Sequence, residues 1–141
     1  MARPEAGLWD YLRGVLPAGI HYSRIESETS PGFPDVHYTL EGRSGTIELK
    51  STKNPTGKYP FSGKDGPNKN QKFWIRDEIA ADGVVYLCLE RKPMVYLLRA
   101  DLYYDELDRM TLTDIERVAI LTWERGEDIR DRLAVALIPD D

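Results

Sequence analysis

Asp35, preceded by Pro34, and Glu48-Leu49-Lys50 thirteen residues further on bring two carboxylates and an amine into one short stretch of chain. Two carboxylates held together suit Mg²⁺, or Mn²⁺ in its place. These hard cations take oxygen ligands and keep water and phosphate in their remaining positions. The backbone carbonyl of Leu49, between the two side-chain groups, is a natural further ligand. Lys50 beside such a centre can orient or deprotonate an attacking water, or stabilise charge on a pentavalent phosphate. The chemistry this points to is metal-assisted hydrolysis of a phosphodiester. An isolated Glu-x-Lys is more often a solvated surface strand, so the question is whether the three side chains share a face.

Alternation of polar and apolar residues on both sides of Glu41-Gly42-Arg43-Ser44-Gly45 is the pattern of a β-hairpin. Asp35, His37 and Thr39 fall on one face of the first strand, and Val36, Tyr38 and Leu40 on the other. Thr46, Glu48 and Lys50 share a face of the second strand, opposite Ile47 and Leu49. A turn centred between Arg43 and Ser44 is expected to pair Thr39 with Glu48 and His37 with Lys50. A slip of one residue would send the apolar set outward, so the pattern selects the register that gathers Asp35, Glu48 and Lys50. His37 shares their face by parity. A polar strand histidine is more often a satisfied structural residue, so it stays outside the candidate set.

With Arg24-Ile25-Glu26, Gly32, Pro34-Asp35-Val36, Ile47-Glu48-Leu49-Lys50 and Gln71, roughly residues 5 to 90 resemble the PD-(D/E)xK nuclease superfamily. Within it they look like the small phage-type VRR-NUC and Holliday-junction-resolvase-like members. The resemblance implies a restriction-endonuclease-like α/β fold: an α-β-β-β-α-β core with a central mixed sheet, here followed by extra C-terminal helices. It also implies a Mg²⁺-dependent endodeoxyribonuclease that leaves 5′-phosphate and 3′-hydroxyl ends. Asp35 and Glu48 would hold the metal with the Leu49 carbonyl, and Lys50 would assist the water. Such nucleases often add a carboxylate from the preceding strand or the first helix. Glu26 is the first choice, Asp10 and Glu5 are alternatives, and the sequence leaves the choice open. Arg24, Lys53, Lys69, Gln71 and Lys72 are the candidate DNA contacts. By analogy the favoured substrate is branched DNA such as a Holliday junction, and resolving a symmetrical junction would require a homodimer. A nuclease for ordinary duplex is the first alternative. The second is a non-catalytic nuclease-fold interaction or DNA-binding protein, and the intact Asp/Glu/Lys set counts against it.

The net charge of −5 argues against indiscriminate nucleic-acid binding, but its distribution is uneven. Residues 1–40 carry −2, residues 41–76 carry +5, and residues 77–141 carry −8. The positive stretch begins inside the hairpin, where a phosphate backbone would need it. DNA is therefore expected to approach from the hairpin side, away from the acidic C-terminal half.

A chain of 141 residues suits a single nuclease domain, with a core over about 5–98 and a helical extension over about 99–141. It contains no apolar run long enough to span a membrane and no signal-peptide pattern. A single cysteine, Cys88, excludes disulfide and zinc frameworks, so an intracellular protein is expected. Gly57 to Lys64 resembles a P-loop, yet five residues separate its glycines where four are needed, and Asp65 replaces the Ser or Thr. No nucleotide-triphosphate site follows from it.

The elements around the candidate site are expected as follows. Leu8, Trp9, Leu12, Val15 and Leu16 form a helical stripe closed by Pro17 and Gly19. A strand over about Ile20 to Glu26 precedes the hairpin. Residues 52–68, rich in Gly, Pro and Lys, are expected to form a mobile DNA-facing flap, with Tyr59 and Phe61 as stacking groups. A helix over about 70–81 presents Gln71 and Lys72 in its first turn, packs by Phe73, Trp74 and Ile79, and stops at Gly83. The apolar run 84–89 is a strand covered on both faces, and Met94 to Leu98 is another. Helices are expected over Ala100 to Leu107, after an N-cap at Thr113 with Glu116 in a capping box, and over Glu127 to Ile138.

Overall fold

The computed structural model describes residues 4–25, 35–52, 59–61 and 69–139. In chain order it contains helix α1 (Pro4–Val15), strands β1 (His21–Arg24), β2 (Val36–Leu40) and β3 (Arg43–Ser51), helix α2 (Lys69–Ala80), and strands β4 (Val85–Arg91) and β5 (Met94–Arg99). A 3₁₀ helix (Tyr104–Arg109), α3 (Leu112–Val118), β6 (Leu121–Glu124) and α4 (Arg130–Ala136) complete it. The order α1-β1-β2-β3-α2-β4 is the expected α-β-β-β-α-β core, and α3 and α4 are the added C-terminal helices. The six strands lie in one sheet in sequence order. Among the described residues only β3 and β4 pair in parallel, with α2 as the crossover such a pair requires. Among the described residues no helix is long and apolar enough to cross a membrane.

Alternation divides each central strand between two cores. Ile47, Leu49, Tyr86, Cys88, Val95, Leu97 and Trp123 face α1 and α4, joining Leu8, Leu12 and Leu133. Val85, Leu87, Leu89, Tyr96 and Leu98 face the other way, against Ile75 of α2, Leu107 of the 3₁₀ helix and Ile115 of α3. On the α1 side Tyr38 and Tyr86 donate their hydroxyls to the carbonyls of Leu137 and Ala136, at 2.6 and 2.8 Å. Two carbonyls at the C-terminal end of α4, where helical partners run out, are thereby satisfied.

The hairpin turn lies at Glu41-Gly42, with φ of 51° and 79°. Positive φ at both central residues marks a two-residue type I′ turn, whose twist matches that of the strands it joins. Leu40 therefore pairs with Arg43, Thr39 with Ser44, and His37 with Thr46. The expected pairing of Thr39 with Glu48 and His37 with Lys50 is displaced by four residues. Because four is even, every side chain keeps its face. The displacement carries Asp35 back to a position beside Glu48.

Other expectations shift for local reasons. The extension over about 99–141 is not purely helical: Leu121 and Trp123 point inward from β6, pairing with Leu97 and Val95 of β5. The helix expected at Ala100 to Leu107 is the 3₁₀ helix Tyr104–Arg109. The capping box is Thr111 with Asp114, not Thr113 with Glu116, which lets Leu112 and Ile115 face the core. The last helix is shorter than Glu127 to Ile138, since Ile129 is its N-cap. At the end of α2 Asp82, not Gly83, takes positive φ, and the Gly83 N–H returns to the Glu78 carbonyl at 2.8 Å. In α2 the buried residue is Ile75, whereas Phe73 is exposed. Phe61 is not a surface stacking group but a core residue 1% exposed, while Tyr59 is exposed. Most of the expected flap lies outside the described residues.

The register has a direct test. Gly45 stands opposite Tyr38, and a Cβ placed there would lie 2.6 Å from the Tyr38 hydroxyl and 2.8 Å from its ring carbon. The hydroxyl is fixed by its bond to Leu137, so the ring has little room to yield. Gly45→Ala should cost about 1–3 kcal/mol, lowering the thermal midpoint by several degrees at this chain length. An unchanged midpoint would contradict this pairing.

Candidate active site

Asp35 immediately precedes β2, and its carbonyl accepts the Ile25 N–H at 2.8 Å, adding a hydrogen bond at the end of the β1–β2 ladder. Its side chain turns toward β3. The Leu49 N–H donates to Asp35 Oδ2 at 2.8 Å, and the Asp35 N–H donates to Glu48 Oε1 at 3.3 Å. Each carboxylate is thus tied to the other's strand by a backbone donor.

Glu48 is 1% exposed, on the face of β3 that it shares with Lys50 and that continues into Leu87 and Leu89 of β4. Its second oxygen, Oε2, is buried and has no hydrogen-bond partner among the described residues. Lys50 Nζ lies 3.6 Å away, an ion-pair distance and too long for a hydrogen bond. That ammonium donates instead to Gln71 Oε1 at 3.1 Å, which ties the first turn of α2 to the end of β3. Burial pushes the Glu48 carboxyl well above the usual carboxylate range. The side-chain contact with Asp35 and the negative charge there push it further, and nearby Lys50 and the Asp35 N–H offset only part of the rise.

Arg24, at the end of β1, reaches Asp35 Oδ1 at 3.4 Å, with its guanidinium 5.7 Å from the centre of the Trp9 ring. α1 therefore supports the site through an aromatic face. Trp9 was expected only as part of the α1 core stripe. Nothing in its helical spacing separates that role from a seat for an arginine.

The donor set fits a hard divalent cation. Asp35 and Glu48 supply carboxylates from adjacent strands, and the buried second oxygen of Glu48 is an acceptor with no donor among the described residues. The Leu49 N–H points toward Asp35, and in an extended strand its carbonyl leaves from the same edge. Among the described residues no group of three His, Cys, Asp or Glu side chains forms. Glu26, the first choice for a further carboxylate, lies outside the described residues, as does the side chain of Glu5. Asp10 pairs with Arg13 at 3.5 Å on the exposed side of α1.

The structure thus gathers Arg24, Asp35, Glu48, Leu49, Lys50 and Gln71. It does not bring Lys72 to them: its ammonium lies 4.0 Å from Asp108, and its carbonyl accepts the Tyr104 hydroxyl at 2.9 Å. Lys69 is exposed and lies over the Phe73 ring. Lys53 lies outside the described residues. His37 is half-buried between Ser23 and Thr46.

No family model matches the chain, and no curated protein does. Fifteen chains of known structure are similar to it. One is the 1.6 Å structure of Archaeoglobus fulgidus Hjc, a Holliday junction resolvase from an archaeal hyperthermophile. It is 17% identical, with 72% of this chain and 76% of that one covered and a TM-score of 0.47.

The burial of Glu48 has a consequence for stability. A carboxyl whose affinity for protons is higher folded than unfolded makes the native state the better proton binder. Its contribution is therefore lost as pH rises from the unfolded carboxylate range toward the raised native value. In EDTA, Glu48→Gln should remove that loss. The variant should be more stable than the wild type at neutral pH, by about 1–3 kcal/mol, and should match it near pH 4. Unfolding midpoints of the two proteins across pH 4–8 check this. A wild type whose stability rises over that range relative to the variant would contradict it.

Proposed function

We propose that the chain is a metal-dependent DNA endonuclease hydrolysing phosphodiester bonds, with Holliday junctions or other branched DNA as its substrate. The observation that carries this is the buried, unpartnered oxygen of Glu48 beside Asp35 and Lys50. Stability alone would favour an apolar residue there. Asp35, Glu48 and the Leu49 carbonyl would hold Mg²⁺, with Mn²⁺ able to substitute and a further carboxylate expected from Glu26. Bound there, the ion would polarise the phosphoryl oxygen and make its water a better nucleophile at neutral pH.

The chain's own residues supply positioning and charge. An ammonium has three donors. Gln71 takes one from Lys50 and Glu48 lies in reach of the charge, so Lys50 is oriented toward whatever occupies the space beside Asp35. There it can hold the attacking water or neutralise charge on the phosphate. Arg24 is placed to meet a neighbouring phosphate while it keeps Asp35 in position. The +5 stretch 41–76 supports a DNA path over the hairpin and the start of α2, and the −8 half keeps the backbone off the opposite end. A surface that holds phosphates through so few elements is suited to the shape of a branch more than to base sequence. Cutting both strands of a symmetrical junction would bring two copies together about a two-fold axis.

The test is to incubate wild type and Lys50→Ala with four-way junction, flap, linear duplex and single-stranded DNA in Mg²⁺, Mn²⁺ and EDTA. Cleavage should be strongest on branched DNA, absent in EDTA, and reduced by about 10²–10⁴-fold in Lys50→Ala. Mg²⁺ should also raise the thermal midpoint of the wild type but not that of Asp35→Asn. No metal-dependent cutting of any substrate, or undiminished cutting by Lys50→Ala, would overturn the assignment.

A further inference from the structure

Phe73 lies on α2 with 43% of its surface exposed, between two cations of the same helix. Lys69 Nζ, from the turn before, lies 5.6 Å from the ring centroid, and Arg76 Cζ, from the turn after, lies 5.0 Å from it. The helix packs through Ile75 and, in part, Trp74 and Ile79, so it does not need this ring for its core. A single exposed aromatic is ordinary on a protein surface; what distinguishes this ring is the cation within reach of it from the turn before and the turn after.

The chemistry of the surroundings selects the partner. Lys69 and Arg76 belong to the +5 stretch, whereas the rest of the chain is negative. Arg76 also holds Asp77 at 3.2 Å, and Lys72 turns away toward Asp108, so the remaining positive charge of this face lies next to the ring. On the same helix Gln71 holds Lys50 of the candidate site. Residues two apart project from opposite sides of a helix about 10–12 Å across. A strand with one phosphate at Lys50 therefore reaches Phe73 by passing over the first turn of α2, past Lys69. Exposed cation–π contacts are weak enough for phosphates to draw the cations aside and leave a ring face to a base. Cations alternating with an aromatic ring form the surface that single-stranded nucleic acid recognises. In duplex the bases are already paired and stacked, and offer this ring no face.

We propose that Phe73 is a stacking station for an unpaired base of the DNA substrate, with Lys69 and Arg76 taking the phosphates on either side. The proposal rests on the DNA-nuclease reading and narrows its substrate class to DNA with unpaired nucleotides a short way from the cut.

The experiment measures binding in EDTA, where nothing is cut. Single-stranded oligothymidylate, a duplex with a single-stranded tail and a blunt duplex of equal length are titrated with wild type, Phe73→Ala, Phe73→Leu and Phe73→Trp. Phe73→Ala and Phe73→Leu should bind the single strand and the tailed duplex about tenfold more weakly, and the blunt duplex as the wild type does. Phe73→Trp should keep its affinity, and the added indole fluorescence should be quenched on binding. Equal affinity of Phe73→Ala and wild type for the tailed duplex would overturn the proposal. So would full retention by Phe73→Leu, an equal loss on blunt duplex, or no binding of tailed DNA by the wild type. Thermal unfolding of Phe73→Ala, expected to match the wild type, separates these outcomes from misfolding. Absence of cleavage in Mg²⁺ would sink the nuclease reading while leaving this binding result standing.

Discussion

Glu48 sits where a charge is costly: on the central strand of the sheet, 1% exposed, flanked on β4 by Leu87. Removing an ionised carboxylate from water costs several kcal/mol, and only donors or a counter-charge return it. The surrounding architecture supplies a partial return. β2 begins so that the Asp35 N–H reaches one oxygen, and Lys50, two residues along β3, brings positive charge near the other. α2 then crosses over the sheet so that Gln71 holds that lysine. The remaining deficit raises the acid's affinity for a proton and, in the proposed function, is met by a cation shared with Asp35. The geometry of the site is a consequence of how the sheet manages this one buried acid.

Face assignment was legible in the sequence because it depends only on parity. The side chains of Asp35, Glu48 and Lys50 project to one side in any register that differs from the true one by an even number of residues. The expected register, off by four, therefore gave the correct face with the wrong partners. The turn was harder to place because five residues offered two glycines, and the chain put a glutamate at positive φ beside Gly42. Gln71 was found through the resemblance alone, since an exposed glutamine in a first helical turn carries no signal of its own. β6 was missed because Leu-Thr-Trp-Glu is a strand of only four residues between two helices, too short for its alternation to stand out. Phe73 was assigned to the core on hydrophobicity, but helical spacing gives that face to Ile75.

The two faces of the sheet do different work. On the α1 side the polar groups are matched within the protein: tyrosine hydroxyls meet the end of α4, and the Trp123 indole donates to Tyr11 Oη at 2.7 Å. On the α2 side polar groups gather at one end of β3 and β2, where the apolar cluster gives way to Lys50, Glu48 and Asp35.

Glu90 provides an internal comparison that excludes burial alone as the explanation for Glu48. It too is 1% exposed, on β4, one strand over and on the opposite face. Its carboxylate is held by the Arg125 guanidinium, which also stacks 4.5 Å from the centre of the Tyr11 ring and donates to the Gly7 carbonyl at 3.4 Å. This buried acid is thus given a guanidinium in direct hydrogen-bonding contact, a charge-assisted pair. Glu48 has a lysine at 3.6 Å turned toward a glutamine, and one oxygen left without a donor. The same chain has solved the same electrostatic problem completely in one place and incompletely in another. The incomplete solution lies beside a second carboxylate and next to the positive stretch. Incompleteness there is what a site needs if a cation and a phosphate are to complete it.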